Sequence, residues 1–349
     1  MYTDVCVLGA GITGLSAAIN VQKLIRCVNV TIIADSFGQD TTTPVTRNLF
    51  LPIPSSVKGT DPDALRKWFL DGWTHHFTRA KTPEGEESGH SLITGYYLWS
   101  EGEAPILSDA VFNFHQLSES ELAEEDFPYD KGCRFTTVAV DFKKYFRWLM
   151  KEFRQRGGCV LHDTVYSLQE LYGKYDIVIN CTGMRAREQM SDPRLVPVKG
   201  HMVRVKTEPT KNFLVTDDNI SVVPSNSSED CECVDVGYHW KRSEHRPGVM
   251  REPTALVLRK ARGLIPFLED CRVVQAWAEK RPSEEPPLVK IEMLNCGSAI
   301  LPVVHSIGLG TETLTLAWGT GVYVAHLVLD LQRTIKPFAH LMLPFKTLI

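Results

Sequence analysis

The sequence predicts an α/β protein in which a largely parallel sheet is interleaved along the chain with a second region built on a mixed sheet. Three observations carry this. An apolar run, Val5, Val7 and Leu8, leads through a glycine turn into a helical stretch (VCVLGAGITGLSAAINV, 5–21), as a buried parallel strand does before its crossover helix. Further apolar strand-like runs recur at 28–33, 160–162, 175–180 and 299–305. Between 46 and 140 lies an excursion of about a hundred residues, too long to be a loop, after which the first pattern resumes.

The glycine turn defines the first unit. Gly9, Gly11 and Gly14 stand at G-x-G-x-x-G spacing. Gly9 permits the tight turn, Gly11 lets a pyrophosphate approach the backbone, and Gly14 lets the helix pack on the strand. The helix start offers N–H donors and a positive dipole end to phosphate. Asp35, at the end of the second strand, has the placement that binds an adenosine ribose hydroxyl. This is the Rossmann-like pattern, and the ligand it implies is a dinucleotide.

The remaining elements follow in order. Residues 39–44 form a hydroxyl-rich polar loop. Leu65, Trp68, Phe69 and Trp73 recur at helical spacing within 63–78 and read as core, while 83–89 reads as a loop. Strands are expected at 91–100 and 110–116, and a helix over 138–153 with an apolar stripe of Phe142, Tyr145, Phe146 and Leu149. The strand at 175–180 runs into Cys181-Thr182-Gly183, and ligands of open α/β sheets lie beyond such strand ends. Strands at 196–207, 220–224 and 273–278, a helix at 251–264, a glycine-containing turn at 308–313 and a long helix at 315–331 complete the chain. Residues 1–45, 141–195 and 286–349 are thereby assigned to the nucleotide unit, and 46–140 and 196–285 to the second unit.

A formal net charge of −4 with no basic run argues against nucleic acid. No apolar stretch is expected to span a membrane, and the first residues lack the pattern of a secretory signal. The nine cysteines are scattered, and Cys231 and Cys233 have no matching pair of ligands nearby; reduced thiols are expected, with no metal.

Taken together, the motifs resemble the D-amino-acid oxidase and D-aspartate oxidase family of flavoproteins over nearly the whole chain. The resemblance rests on GAGITGLSAA (9–18), Asp35-Ser36 followed by Thr41-Thr42-Thr43, LITGYYL (92–98) and VINCTG (178–183). It continues through VPVKGH (196–201), Arg281-Pro282, LPVVHSIG (301–308) and Trp318-Gly319, with LPVVH leaning toward the aspartate branch. It implies FAD held by Gly9, Ala10, Gly11, Ile12, Gly14, Asp35, Ser36, Thr42, Thr43, Val165, Thr182, Gly183 and Thr315, with the flavin between two domains. It also implies that Arg281 clamps a substrate α-carboxylate, which the planar two-donor fork of arginine suits. The partners implied are a small D-amino acid and oxygen, with a homodimer possible. The ending Lys346-Thr-Leu-Ile349 is not of the Ser-Lys-Leu type, which leaves the cytoplasm as the expected location over the peroxisome.

The chain departs from the family's pattern in the pocket. Residues 217–224 carry no tyrosine where the family has them, and the glycine-rich flavin loop reads Gly308-Leu-Gly310-Thr311-Glu312-Thr313. Thr46, Arg47 and Asn48 replace small residues, and the second basic residue of the aspartate branch maps loosely onto His239, near Lys241 and Arg242. Two readings stay open: an oxidase releasing a 2-oxo acid, ammonia and hydrogen peroxide, or a diverged flavin-binding or regulatory relative with little or no oxidase activity. A flavin amine oxidase of another kind would leave the carboxylate arginine without a purpose.

Overall fold

A computed structural model describes residues 2–38, 48–186, 196–207, 210–225, 233–239, 253–265 and 268–335. In chain order the first elements are β1 (Thr3–Ala10), α1 (Ile12–Leu24), β2 (Val28–Phe37), α2 (Pro62–Ala80), α3 (Glu84–Ser88), β3 (His90–Trp99) and β4 (Phe112–Gln116). Then come α4 (Glu119–Glu124), β5 (Lys131–Val140), α5 (Phe142–Gln155), β6 (Cys159–His162), β7 (Ile177–Asn180), β8 (Val196–Lys206) and β9 (Phe213–Thr216). The last are β10 (Ile220–Pro224), β11 (Cys233–His239), α6 (Pro253–Arg262), β12 (Arg272–Cys296), β13 (Ala299–Leu309) and α7 (Thr313–Ile335).

Hydrogen bonding links the strands in the order β4-β5-β3-β9-β10-β11-β8-β12-β13-β7-β1-β2-β6. From β13 to β6 every pair is parallel. From β12 to β4 the pairs are antiparallel except β3 with β9, so this half is mixed. β12 belongs to both halves: its first part pairs with β8, and from Ser283 onward it pairs with β13. The expected boundary between 285 and 286 therefore falls inside a strand.

The main core joins the parallel strands to α1, α2, α5 and α7. Small residues let α1 be enclosed, since Ala17 and Ala18 are fully buried and Gly321 of α7 would bring a Cβ within 2.9 Å of the Ser16 carbonyl carbon. Asp61 caps α2 by accepting from the Ala64 N–H at 2.9 Å, with Pro62 in the first turn.

Several boundaries differ from the sequence expectation. Residues 138–140 end strand β5, and α5 begins only at Phe142, because Asp141 accepts from the N–H groups of Lys143 (2.9 Å) and Lys144 (3.3 Å) and caps it. The expected loop at 83–89 contains α3, closed by Gly89 in the left-handed region (φ 72). Strands β9 and β11 were not expected, being short runs buried within the mixed half. The expectation that no apolar stretch reaches membrane-spanning length fails at Gly310–Ile335, which is long and apolar enough by length and composition. Two thirds of its apolar window (67%) is buried inside the protein, as in a core helix.

Candidate functional site

The carboxyl ends of the parallel strands form one edge, and the predicted nucleotide residues gather there. Gly9 has φ +99, and a Cβ on it would lie 2.5 Å from the carbonyl oxygen of Cys181, so the turns after β1 and β7 touch. A Cβ on Gly14 would lie 2.0 Å from the Gly9 carbonyl oxygen, which seats the helix start on the turn. Ala10 and Ile12 are buried beside them. Gly11 caps α1 without any side-chain hydrogen bond, leaving the first-turn N–H groups to serve a phosphate. The residues present thus fit a pyrophosphate.

Asp35 and Ser36 lie near the end of β2. The Asp35 carboxylate pairs with Arg185, from the 3₁₀ turn Gly183–Arg185 that follows β7. That partner was missed from sequence, where nothing but its place three residues after Thr182 marks it.

Thr182 is tied to the strands beneath it. Its N–H (3.2 Å) and its hydroxyl (2.7 Å) both donate to Asn180 Oδ1. Asn180 Nδ2 lies 3.2 Å from His305 Nδ1, and His305 Nε2 lies 2.9 Å from Glu292 Oε2. Asn180 and His305 are fully buried, facing each other across the parallel β7–β13 pair. Burial lowers the His305 pKa, and Glu292 opposes that shift. The stretches INCTG and LPVVH meet through this contact.

Other predicted residues are placed differently. Val165 packs its side chain against the cluster of Cys6, Leu8 and Ile33. Thr315 is buried, and its hydroxyl accepts from the Leu51 N–H at 3.2 Å. Arg281 is placed by backbone register, opposite Val198 on β8, and His239 likewise opposite Gly200. Thr42, Thr43, Thr46, Arg47, Lys241 and Arg242 lie outside the described residues.

The loop after β13 makes the 3₁₀ turn Gly310–Glu312. Glu312 is 4% exposed and accepts from the Thr311 hydroxyl at 3.3 Å, while the Thr313 hydroxyl donates to the Gly310 carbonyl at 2.8 Å. β10 carries no tyrosine, and its Ile220 and Ser221 are buried. Asp217 and Asp218 just before it serve the fold, accepting from the Ser100 N–H (3.1 Å) and the Tyr129 hydroxyl (3.1 Å).

Three buried histidines, His75, His76 and His90, bring ring nitrogens within 4.8 Å of one another, a spacing a metal ion could use. Hydrogen bonds already link them: His75 to Tyr145 (2.7 Å) and Arg79 (2.9 Å), His76 to His90 (2.9 Å), and His90 to Ser88. The Arg79 guanidinium beside His75 also disfavours a second cation. Burial, and then this guanidinium, push the His90 pKa down to about 3, so the ring is neutral. In the mixed half, Arg204 forms a two-point pair with the buried Asp235 (2.7 and 3.0 Å). Cys6, Cys133 and Cys181 are free, and burial raises each thiol to about 12, which keeps it protonated and unreactive.

Comparison with known proteins gives the same picture. D-aspartate oxidase of Homo sapiens is 28% identical over 336 residues, covering 95% of this chain and 96% of that protein. D-amino-acid oxidase of Rubrobacter xylanophilus is 27% identical, covering 90% and 92%. Among solved structures, iminodiacetate oxidase from Chelativorans superposes with a TM-score of 0.69 at 18% identity, over 93% of this chain and 95% of that one. Glycine oxidase from Geobacillus kaustophilus superposes with a TM-score of 0.68 at 16% identity, over 94% of each. Residues 4–327 match the DAO family, described as FAD dependent oxidoreductase, and with its parallel-sheet edge shaped for a dinucleotide the chain belongs to that family.

Proposed function

We propose that the protein catalyses oxidative deamination of a D-amino acid, aspartate-like or neutral: the amino acid, water and oxygen give a 2-oxo acid, ammonia and hydrogen peroxide. The observation that supports this furthest is the course of β12. Arg281 stands two residues before Ser283, which pairs with Leu309 immediately before the Gly310–Glu312 turn. The carboxylate clamp is thus carried on a strand that leads from the substrate half to the cofactor edge.

Bound FAD would supply the two-electron redox chemistry, with the substrate α-carbon oxidised and oxygen reduced to peroxide. The chain's own part is binding and orientation. The Gly9–Gly14 turn and the α1 N-terminus hold the pyrophosphate, and Asp35 takes the adenosine ribose. Arg281 binds the α-carboxylate by two parallel N–H bonds, fixing which face of the α-carbon meets the flavin. No protein base is invoked.

The second reading, a diverged member with little or no oxidase activity, is favoured by the buried Glu312 carboxylate and by the absence of tyrosine on β10. One experiment separates them: the visible spectrum of purified protein before and after anaerobic addition of D-aspartate, D-glutamate, D-alanine or D-methionine. Bleaching of the flavin bands, with peroxide released on admitting air, is the expected outcome. A bound flavin that none of these substrates bleaches would favour the second reading.

A further inference from the structure

We infer that Glu292 and His305, acting through Asn180, are positioning residues for Thr182, and that Thr182 meets the flavin half of the cofactor as a hydrogen-bond acceptor. The inference rests on Thr182 being a cofactor contact.

The direction of each bond follows from the donors available. Asn180 Oδ1 receives both the N–H and the hydroxyl proton of Thr182. The reversed amide would set its NH₂ against the Thr182 N–H, donor against donor. Its Nδ2 therefore faces His305, 3.2 Å away, and needs a bare Nδ1 there. The His305 proton is then on Nε2, which donates to Glu292 Oε2 at 2.9 Å. One half-exposed carboxylate thus fixes the tautomer of a fully buried imidazole, and the imidazole fixes the Asn180 amide.

Both protons of Thr182 are committed inward, so its hydroxyl oxygen offers lone pairs to a ligand. A phosphate oxygen, itself an acceptor, is the wrong partner; a hydroxyl or N–H donor is the right one. Strand order says which donor. β2, with Asp35, lies on one side of β1, and β7, with Thr182, lies on the other. A cofactor with its adenosine ribose on β2 and its pyrophosphate on the β1 turn brings its ribityl chain and flavin to β7.

The test measures binding rather than turnover: dissociation constants of apo-protein for FAD, by flavin fluorescence quenching, and for ADP, by calorimetry. The expected result is FAD binding about tenfold weaker in Glu292→Leu and in His305→Phe, as for loss of one buried hydrogen bond. Glu292→Gln keeps an acceptor and should bind FAD within about twofold of wild type. ADP, lacking ribityl and flavin, should bind Glu292→Leu as it binds wild type, and Glu292→Gln should keep the wild-type apo melting temperature. Should His305→Phe fail to fold, the Glu292 pair still decides. Unaltered FAD affinity in Glu292→Leu, equal weakening of ADP, or no rescue in Glu292→Gln would overturn the inference. Wild-type protein that binds no FAD would overturn the assignment of Thr182 as a cofactor contact, a separate failure.

Discussion

Gly14 has no room for a side chain. Its missing side chain would overlap the Gly9 carbonyl oxygen at 2.0 Å, and the contact is backbone, which cannot swing aside. Gly14→Ala should lower the melting temperature of the apo-protein by several degrees, as overpacking of about 1–3 kcal/mol does, and a melting scan checks it. Gly11→Val should fold yet purify colourless, since bulk at the helix start blocks the pyrophosphate; flavin content by absorbance is the measurement. Arg281→Lys should retain flavin while turnover of any D-amino acid falls about a hundredfold, the loss of a charge-assisted two-point contact. The glycines were legible because their spacing is local and each has one backbone task. The Asn180–His305 contact was not, since it depends on the register of strands 125 residues apart. Arg185 at Asp35 was hidden for the same reason.

At the level of elements, the turn after β13 differs most from the family's pattern. Three consecutive residues with side chains, one a buried carboxylate, stand where the family has bare backbone at the flavin. An ionised carboxylate there would oppose the charge that develops on a reduced flavin. Replacing Thr311, Glu312 and Thr313 by Gly, Tyr and Gly together should raise flavin occupancy and peroxide release with D-amino acids. Natural protein that turns over as fast as the triple variant would show that the turn does not restrain catalysis. Long helices and the central strands were readable from periodicity and apolar runs. Short strands such as β9 and the five-residue α3 were not, because four or five residues carry too little pattern and their pairing is set by distant neighbours. The α5 start shows the opposite case: the stripe from Phe142 was read, but the helix was expected to begin at Val138, ahead of the Asp141 cap.

Across the whole molecule, the buried histidines give a signed expectation for pH. His75, His76 and His90 are held neutral by burial first and by neighbouring positive charge second, with folded pKa values below the ordinary 6.5. Below that value the unfolded chain takes up protons that the folded one refuses, so stability rises with pH and is lost as pH falls from about 6.5 toward the folded value. The melting temperature of the apo-protein should therefore drop by several degrees between about pH 7.5 and pH 5. A flat profile would mean that these rings take up protons as readily in the folded protein as in the unfolded chain. The interleaved topology has a consequence of another kind, in how the protein is made. Val5 of β1 pairs with Ile177, and β7 in turn awaits Val303 of β13. A growing chain cannot complete its parallel strands until β13 has left the ribosome. The amino-terminal apolar segments must wait for most of translation, exposed to aggregation and to chaperones, and the half begun first is finished last.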